Sequence, residues 1–280
     1  MKFIYFGTPD FSARLLERLI ASGMVPVAVV TNPDRPVGRK KIVTAPPVAQ
    51  ILRRHAGIEI LQPEKLDEAF RERLKSFGAD VFVVFAYNKI FRKEVLDIPR
   101  LGIVGVHPSF LPAYRGPSPF ATALLNGETE TGVTLYRLDV GVDDGPIIAK
   151  SKPVAITTDD TFQSLAEKLT DVGAELLIET LPKFVAGEIM PQPQDESRAT
   201  FTKKFKTEDG FVESSDLTAA QSGDAQKAAV LDRKIRAMNP EPGVWTMQNG
   251  KRIKLLEAKI DGGKLRLTKI QEEGQKPKSV

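Results

Sequence analysis

The sequence predicts an α/β protein: a doubly wound, mainly parallel sheet followed by a small C-terminal β-barrel-like module. Three observations predict it. Short, nearly uninterrupted apolar runs recur in the first half, "KFIYFG" (2–7), "VPVAVVT" (25–31), "DVFVVFAY" (80–87) and "LGIVGVHP" (101–108), and Val-rich runs of this kind suit strands covered by helices on both faces. Stretches with helical spacing separate them, at 11–22, 45–55 and 64–77, and strands alternating with helices build a parallel sheet. Beyond about residue 200 short alternating segments are parted by Asn249-Gly250 and Gly262-Gly263, pairs that close tight hairpins.

The elements follow in order. The first strand ends at Gly7, after which Leu15, Leu16, Leu19 and Ile20 recur on one helical face. "TGVTLYRLD" (131–139) and "PIIAKSKPVAI" (146–156), joined by "VGVDDG", predict a hairpin-like pair, and a helix runs from about Thr161 to Ala186 with Asp159 or Asp160 as its N-cap. After Gly187 the composition turns polar and Pro-containing, as suits a linker. The expected organisation is a large α/β domain over 1–187, a linker over 188–203, and a basic β module over 204–280 with one helix at about 224–238. Internal repeats and low-complexity tracts are absent from the sequence.

Composition narrows the function. With 280 residues, 41% hydrophobic and 27% charged, the chain has length enough for one large and one smaller domain. It contains no run of 18 apolar residues, and its first residues lack a signal-peptide pattern, so a soluble, cytoplasmic protein with no membrane partner is expected. Zero cysteines exclude disulfides, thiolate nucleophiles and Cys-based metal sites, and two histidines leave little for a His-rich site, so no metal is expected. From Thr200 onward 16 Lys+Arg face 11 Asp+Glu, a surplus of +5, whereas residues 1–199 carry −1. That surplus fits a module that meets a polyanion such as nucleic acid, or a solvated lysine-rich face.

Candidate chemistry lies at strand ends. The first turn, "FGTPDF", lacks the glycine spacing that admits a dinucleotide pyrophosphate, and no Walker lysine follows it. His107 and Asp143 each close a predicted strand, and strand ends in an open α/β sheet converge on one crevice. An imidazole backed by a carboxylate that holds its tautomer is a general acid/base unit; the other reading of His107 is a hydrogen-bonded loop histidine. Arg35, Arg39, Lys40 and Lys41 outweigh Asp34 in a Pro/Gly-bounded loop, which suits phosphate contact or simple solvation. Tyr114 and Arg115 either pack or, in the case of Arg115, meet an anion.

Six stretches carry a resemblance: "FGTPDF", "TNPDRPVGRKK", "HPSFLPAYRGPSP", "NGETETGVTLYRLDVGVDDGPI", "IRAMNPEPGVW" and "KIQEEGQKPKS". In their order and intervals the chain resembles the methionyl-tRNA formyltransferases over nearly its whole length. Ser109-Phe110-Leu111-Pro112 matches the SLLP-type signature of the wider formyl-tetrahydrofolate-dependent transferases. The resemblance implies a Rossmann-like formyltransferase sheet with an OB-type C-terminal domain, acting as a monomer on initiator Met-tRNA in translation initiation. It implies 10-formyltetrahydrofolate as cosubstrate, passing its formyl group to the α-amine of methionine. The catalytic histidine and aspartate of the family fall on His107 and Asp143. The folate crevice falls on Phe85, Ala86, Tyr87, Asn88, Ile90, Ser109, Leu111, Pro112, Asp139 and Val142. The tRNA-facing groups fall on Pro33, Arg35, Arg39, Lys40, Lys41 and Arg115, with Arg39 on the key arginine of the loop.

Two positions depart from the pattern. The family has an Asn two residues before the histidine, and this sequence has Gly105; where the family usually has Gly, it has Asn88. A glycine side chain cannot donate to a developing oxyanion, and losing one such donor typically costs ~10²–10³ in rate. Asn88 is therefore a candidate replacement from the neighbouring strand, against a coincidental exchange. The alternatives that remain open are a folate-dependent N-formyltransferase of an amino-sugar nucleotide or other small amine, and a weakly active folate or RNA binder.

Overall fold

The computed structural model describes residues 1–38, 40–55 and 57–280. Its first elements are β1 (Phe3–Gly7), α1 (Asp10–Ala21), β2 (Ala28–Val30), β3 (Arg35–Val37), β4 (Ile42–Thr44), α2 (Pro47–Leu52) and β5 (Glu59–Leu61). Then come α3 (Glu68–Ser76), β6 (Val81–Phe85), α4 (Lys93–Leu96), β7 (Ile103–His107), α5 (Pro119–Asn126), β8 (Glu130–Thr131) and β9 (Thr134–Arg137). The chain continues through β10 (Ile147–Lys150), β11 (Val154–Ala155), α6 (Phe162–Val185), α7 (Ser214–Ser222) and α8 (Ala225–Met238). It ends in β12 (Val244–Gln248), β13 (Lys251–Asp261), β14 (Lys264–Glu272) and β15 (Lys278–Ser279).

Two compact units result, one of Met1–Arg115, Gly132–Val154 and Glu167–Thr200, the other of Gly116–Thr131, Ala155–Ala166 and Phe201–Val280. Residues 116–131 and 155–166, expected within the first domain, thus belong to the second unit. The reason is apolar packing: α5 lies against α8, and Phe120 meets Phe162 with ring centroids 5.6 Å apart.

The first unit is built on a seven-stranded sheet in the order β10-β9-β7-β6-β1-β2-β5. β5, β2, β1, β6 and β7 run parallel, and β9 is antiparallel to both of its neighbours. Every residue of β1, β2, β6 and β7 is buried, which is why these strands read as unbroken apolar runs. On one face Ile4, Phe6, Val30, Phe82, Val84 and Ile103 pack with Leu74 of α3. Phe6 is central there, 5.3 Å from Phe82, 5.4 Å from Tyr87 and 5.3 Å from Phe91 between ring centroids. The chain leaves β1 toward β2 and β5 and returns on its other side to β6, so the strand order reverses between β1 and β6. Such a reversal opens a crevice at the carboxyl ends. Gly7 sits there because a Cβ would lie 2.4 Å from Ser12 Oγ, and the Ser12 hydroxyl is needed to donate to the Phe85 carbonyl.

Several elements lack the expected signal. Residues 35–37 and 42–44, expected within a loop, pair as the antiparallel strands β3 and β4. α7 is polar, with only Leu217 and Ala220 buried, so no apolar stripe announces it. At α6 the Thr161 hydroxyl accepts from Ser164 N at 3.2 Å, while Asp160 is buried and accepts from Thr157 N and the Ser164 hydroxyl.

In the second unit β12, β13, β14 and β15 form a four-stranded antiparallel sheet in that order. Asn249 and Gly250 (φ 49° and 73°) and Gly262 and Gly263 (φ 56° and 75°) turn its first two corners, both residues of each pair at positive φ as a type I′ turn requires. α8 packs on β13 and β14 and is capped by Asp224, whose carboxylate accepts from Lys227 N at 3.0 Å. Among the described residues no helix is long and apolar enough to cross a membrane. Truncating the central aromatic, Phe6→Ala, should cost about 3–5 kcal/mol in urea unfolding, whereas Asp224→Ala, which removes only a cap, should cost about 1 kcal/mol.

Candidate active site

His107 is the last residue of β7 and is buried with the strand. Its Nε2 lies 2.9 Å from the Tyr114 carbonyl. A carbonyl only accepts, so Nε2 carries the hydrogen. Nδ1 faces Asp143 Oδ2 at 3.6 Å, just beyond hydrogen-bond length.

The pair forms, but not for the reason the sequence suggested. Convergence of carboxyl ends applies to parallel strands, and β9 is antiparallel: Arg137 sits opposite Val104 while Thr134 sits opposite His107. The β9–β10 connection must therefore double back along β7 to bring Asp143 to His107. Three features hold it there. Gln194 Nε2 donates to the carbonyls of Asp143 and Gly145 at 2.8 and 2.7 Å. A Cβ at Gly145 would lie 1.8 Å from the Arg137 carbonyl, so only glycine closes the loop. The Tyr136 hydroxyl donates to Asp143 Oδ1 at 2.5 Å. Burial, then the Asp143 carboxylate, push the Tyr136 phenol well above its ordinary pKa, so it remains a donor.

Arg115 takes the packing role. It is 2% exposed, and its guanidinium donates to Glu196 at 2.8 and 2.6 Å and to Gln194 Oε1 at 3.1 and 2.8 Å. The same hydrogen bonds hold the Glu196 carboxyl below its usual range. Residues expected as linker strap this region: Gln192 pairs with Ile147, and Thr200 accepts from Tyr114 N at its hydroxyl and from Arg115 N at its carbonyl. Gln194 carries no sequence signal, since it lies in a Pro-flanked polar stretch. Tyr136 could have been singled out only with the β7–β9 register in hand.

The expected folate residues divide into two kinds. Ser109, Leu111 and Pro112 are buried. Ser109 Oγ donates to the Ala113 carbonyl at 2.6 Å, and the Thr134 hydroxyl links the Ser109 carbonyl to Leu111 N, so these residues shape the loop. Phe85 and Tyr87 are buried, while Ala86 and Asn88 adopt left-handed φ of 53° and 62° just past β6. Asn88 and Asp139 are exposed, as are Ile90 at 86% and Val142 at 59%. The space over Gly105 is filled by Tyr136: a Cβ there would lie 2.4 Å from its Cε1 and 2.6 Å from Leu138 Cδ1.

Of the basic candidates, Arg35 in β3 pairs with Glu64 at 2.9 Å, Lys40 and Lys41 are exposed at the hairpin tip, and Pro33 is half-buried before it. Arg39 lies outside the described residues. Among the described residues no group of three or more His, Asp or Glu gathers as a metal site would.

The formyl transferase family model matches residues 1–181, and that of the formyl transferase C-terminal domain matches 225–264. The chain belongs to the formyl transferase family. Among similar proteins is the methionyl-tRNA formyltransferase of Chloroflexus aggregans, 43% identical over 93% of this chain and 81% of that relative. The methionyl-tRNA formyltransferase of Halorhodospira halophila is 38% identical over 94% and 81%. In fold, the chain is similar to the methionyl-tRNA formyltransferase from Clostridium thermocellum, with a TM-score of 0.63 at 17% identity over 97% of this chain and 98% of that one. It is also similar to the N-formyltransferase from Helicobacter canadensis, solved with folinic acid and dTDP-3-aminofucose, with a TM-score of 0.64 at 18% identity over 93% and 88%.

In this formyltransferase Gln194 is the strut between Arg115 and the Asp143 loop. Gln194→Ala should lower stability by about 1–3 kcal/mol, because it leaves buried polar groups unpaired, and should lower formyl-transfer turnover as well. Wild-type turnover and melting temperature in that variant would show that the loop holds itself.

Proposed function

We propose that the protein transfers the formyl group of 10-formyltetrahydrofolate to the α-amino group of methionine on initiator Met-tRNA. The observation that carries this is the approach of Asp143 Oδ2 to His107 Nδ1 in a chain whose relatives of 38–43% identity are named methionyl-tRNA formyltransferases. The +5 surplus after Thr200 supports a polyanionic acceptor. A cytoplasmic setting follows from that acceptor.

The folate supplies the formyl carbon. As the C–N bond to the methionine amine forms and the bond to the folate nitrogen breaks, one proton must leave the amine and one must reach the departing nitrogen. Asp143 and His107 face each other where that proton is taken up and returned, as a general acid/base pair. The strand-end residues 85–90 and the 139–142 segment hold the folate: Ile90, Val140 and Val142 present apolar groups to solvent, and the left-handed Ala86 and Asn88 turn the main chain at the end of β6. An exposed apolar rim beside main-chain polar groups fits a flat heterocycle edged with hydrogen-bonding atoms. Arg35, Lys40 and Lys41 of the β3–β4 hairpin, with Pro33 before it and Arg39 by its place in the sequence, are assigned to the acceptor RNA together with the basic C-terminal unit.

Formyl transfer assayed with Met-tRNA and 10-formyltetrahydrofolate tests the proposal, and transfer to an amino-sugar nucleotide but not to Met-tRNA would overturn it. His107→Ala and Asp143→Ala should each lower turnover by at least ~10²-fold, and the double variant little further, as residues acting as a unit do. Log affinity for tRNA should fall linearly with log salt, and Lys40→Ala/Lys41→Ala should flatten that slope. Affinity that ignores ionic strength would point to a small acceptor.

A further inference from the structure

We propose that Tyr136 is a positioning residue of this reaction: its hydroxyl fixes the Asp143 carboxylate against His107, and Gly105 is the residue that admits its ring. The proposal rests on the assignment of His107 and Asp143 as the working pair.

Gly105 and Tyr136 are direct cross-strand partners in β7 and β9. The ring leans over the glycine so closely that a Cβ would meet Cε1 at 2.4 Å and Cζ at 2.8 Å. Real Cβ atoms do not make such contacts, so the bare glycine and the large ring require each other. From that place the ring stands edge-on to His107, with centroids 6.3 Å apart and an interplanar angle of 88°. Its hydroxyl reaches Asp143 Oδ1 at 2.5 Å, while Oδ2 of the same carboxylate faces His107 Nδ1 at 3.6 Å. A hydrogen bond on one oxygen sets the rotation of the carboxylate and hence the direction of the other.

A space-filling role alone would be served by phenylalanine. A buried phenol needs a partner, and this one is placed on the carboxylate assigned to the working pair. Asp143 lies on a doubled-back loop at φ 51°, where Gln194 fixes main-chain carbonyls but not the carboxylate. Tyr136 acts on the carboxylate itself. The cross-strand exchange also answers why the chain tolerates glycine two residues before the histidine: any larger residue there would displace the ring.

Steady-state kinetics with Met-tRNA and 10-formyltetrahydrofolate on the full chain tests this. Tyr136→Phe keeps the ring and should lower kcat about 10- to 100-fold, the range for losing a hydrogen bond to a charged group, with KM for both substrates within about threefold. In an Asp143→Ala background Tyr136→Phe should have no further effect, because its action passes through that carboxylate. Gly105→Ala should lower the melting temperature, and adding Tyr136→Leu should recover part of that loss. Unchanged kcat in Tyr136→Phe, or losses that multiply in the Asp143→Ala background, overturns the proposal. A large kcat loss in Asn88→Gly with none in Tyr136→Phe assigns the role to Asn88 instead and also overturns it. If His107→Ala and Asp143→Ala leave kcat intact, the underlying site assignment fails first. Should the wild-type chain formylate no Met-tRNA, the imidazole nitrogens decide: the chain has two histidines, His55 and His107. Tyr136→Phe should then move the 15N resonance of His107 Nδ1 and not that of His55, and an unmoved His107 resonance overturns the proposal.

Discussion

The approach of the Asp143 carboxylate to His107 depends on a loop that runs against the direction of its own strand. β9 is antiparallel to β7, and its end lies opposite Val104 rather than His107. Bringing a carboxylate back over that distance costs chain entropy, and the structure offsets it with close-fitting contacts: Gly145 pressed on the Arg137 carbonyl, Gln194 bridging two loop carbonyls, and Tyr136 beneath the carboxylate. Each contact depends on residues distant in sequence. The site is therefore a property of the mixed edge of the sheet, whereas the parallel strands serve as its rigid support.

That support is apolar and ordinary in its physics. The fully buried strands and the Phe6 cluster exclude water from both sides of the sheet, and their burial is the main stabilising term. Charged contacts contribute differently by location. Exposed pairs such as Arg73 with Glu59 and Arg54 with Glu17 are screened and contribute little. Arg115 is another matter, since its guanidinium is buried and would be costly to leave unpartnered. Its engagement by Glu196 and Gln194 ties 192–200 to the site, so a segment that looks like a tether in composition is part of the architecture.

Exposed surface is arranged by charge and by shape. The β3–β4 hairpin carries Lys40 and Lys41 with the apolar Val37, Ile42 and Val43 all exposed. The strand-end rim of Ile90, Val140 and Val142 is apolar and exposed as well. Both lie in the unit that holds His107 and Asp143, while the basic surplus lies mainly in the other.

The sequence makes legible the elements whose signal is local. Unbroken apolar runs marked β1, β2, β6 and β7, because strands buried on both faces admit nothing else, and Asn249-Gly250 and Gly262-Gly263 marked two hairpin turns, because positive φ favours those residues. It also marked His107 and Asp143 by residue type. It did not determine α7, whose residues bury too little to leave a stripe, nor the pairing of 35–37 with 42–44. Tertiary structure alone decided that Asp143 returns to His107 against its strand, that Arg115 faces inward, that Gln194 braces the loop, and that Tyr136 occupies the space over Gly105. Each of these depends on a cross-strand register or on contacts between segments far apart in the chain, and neither is written in the local spacing of residues.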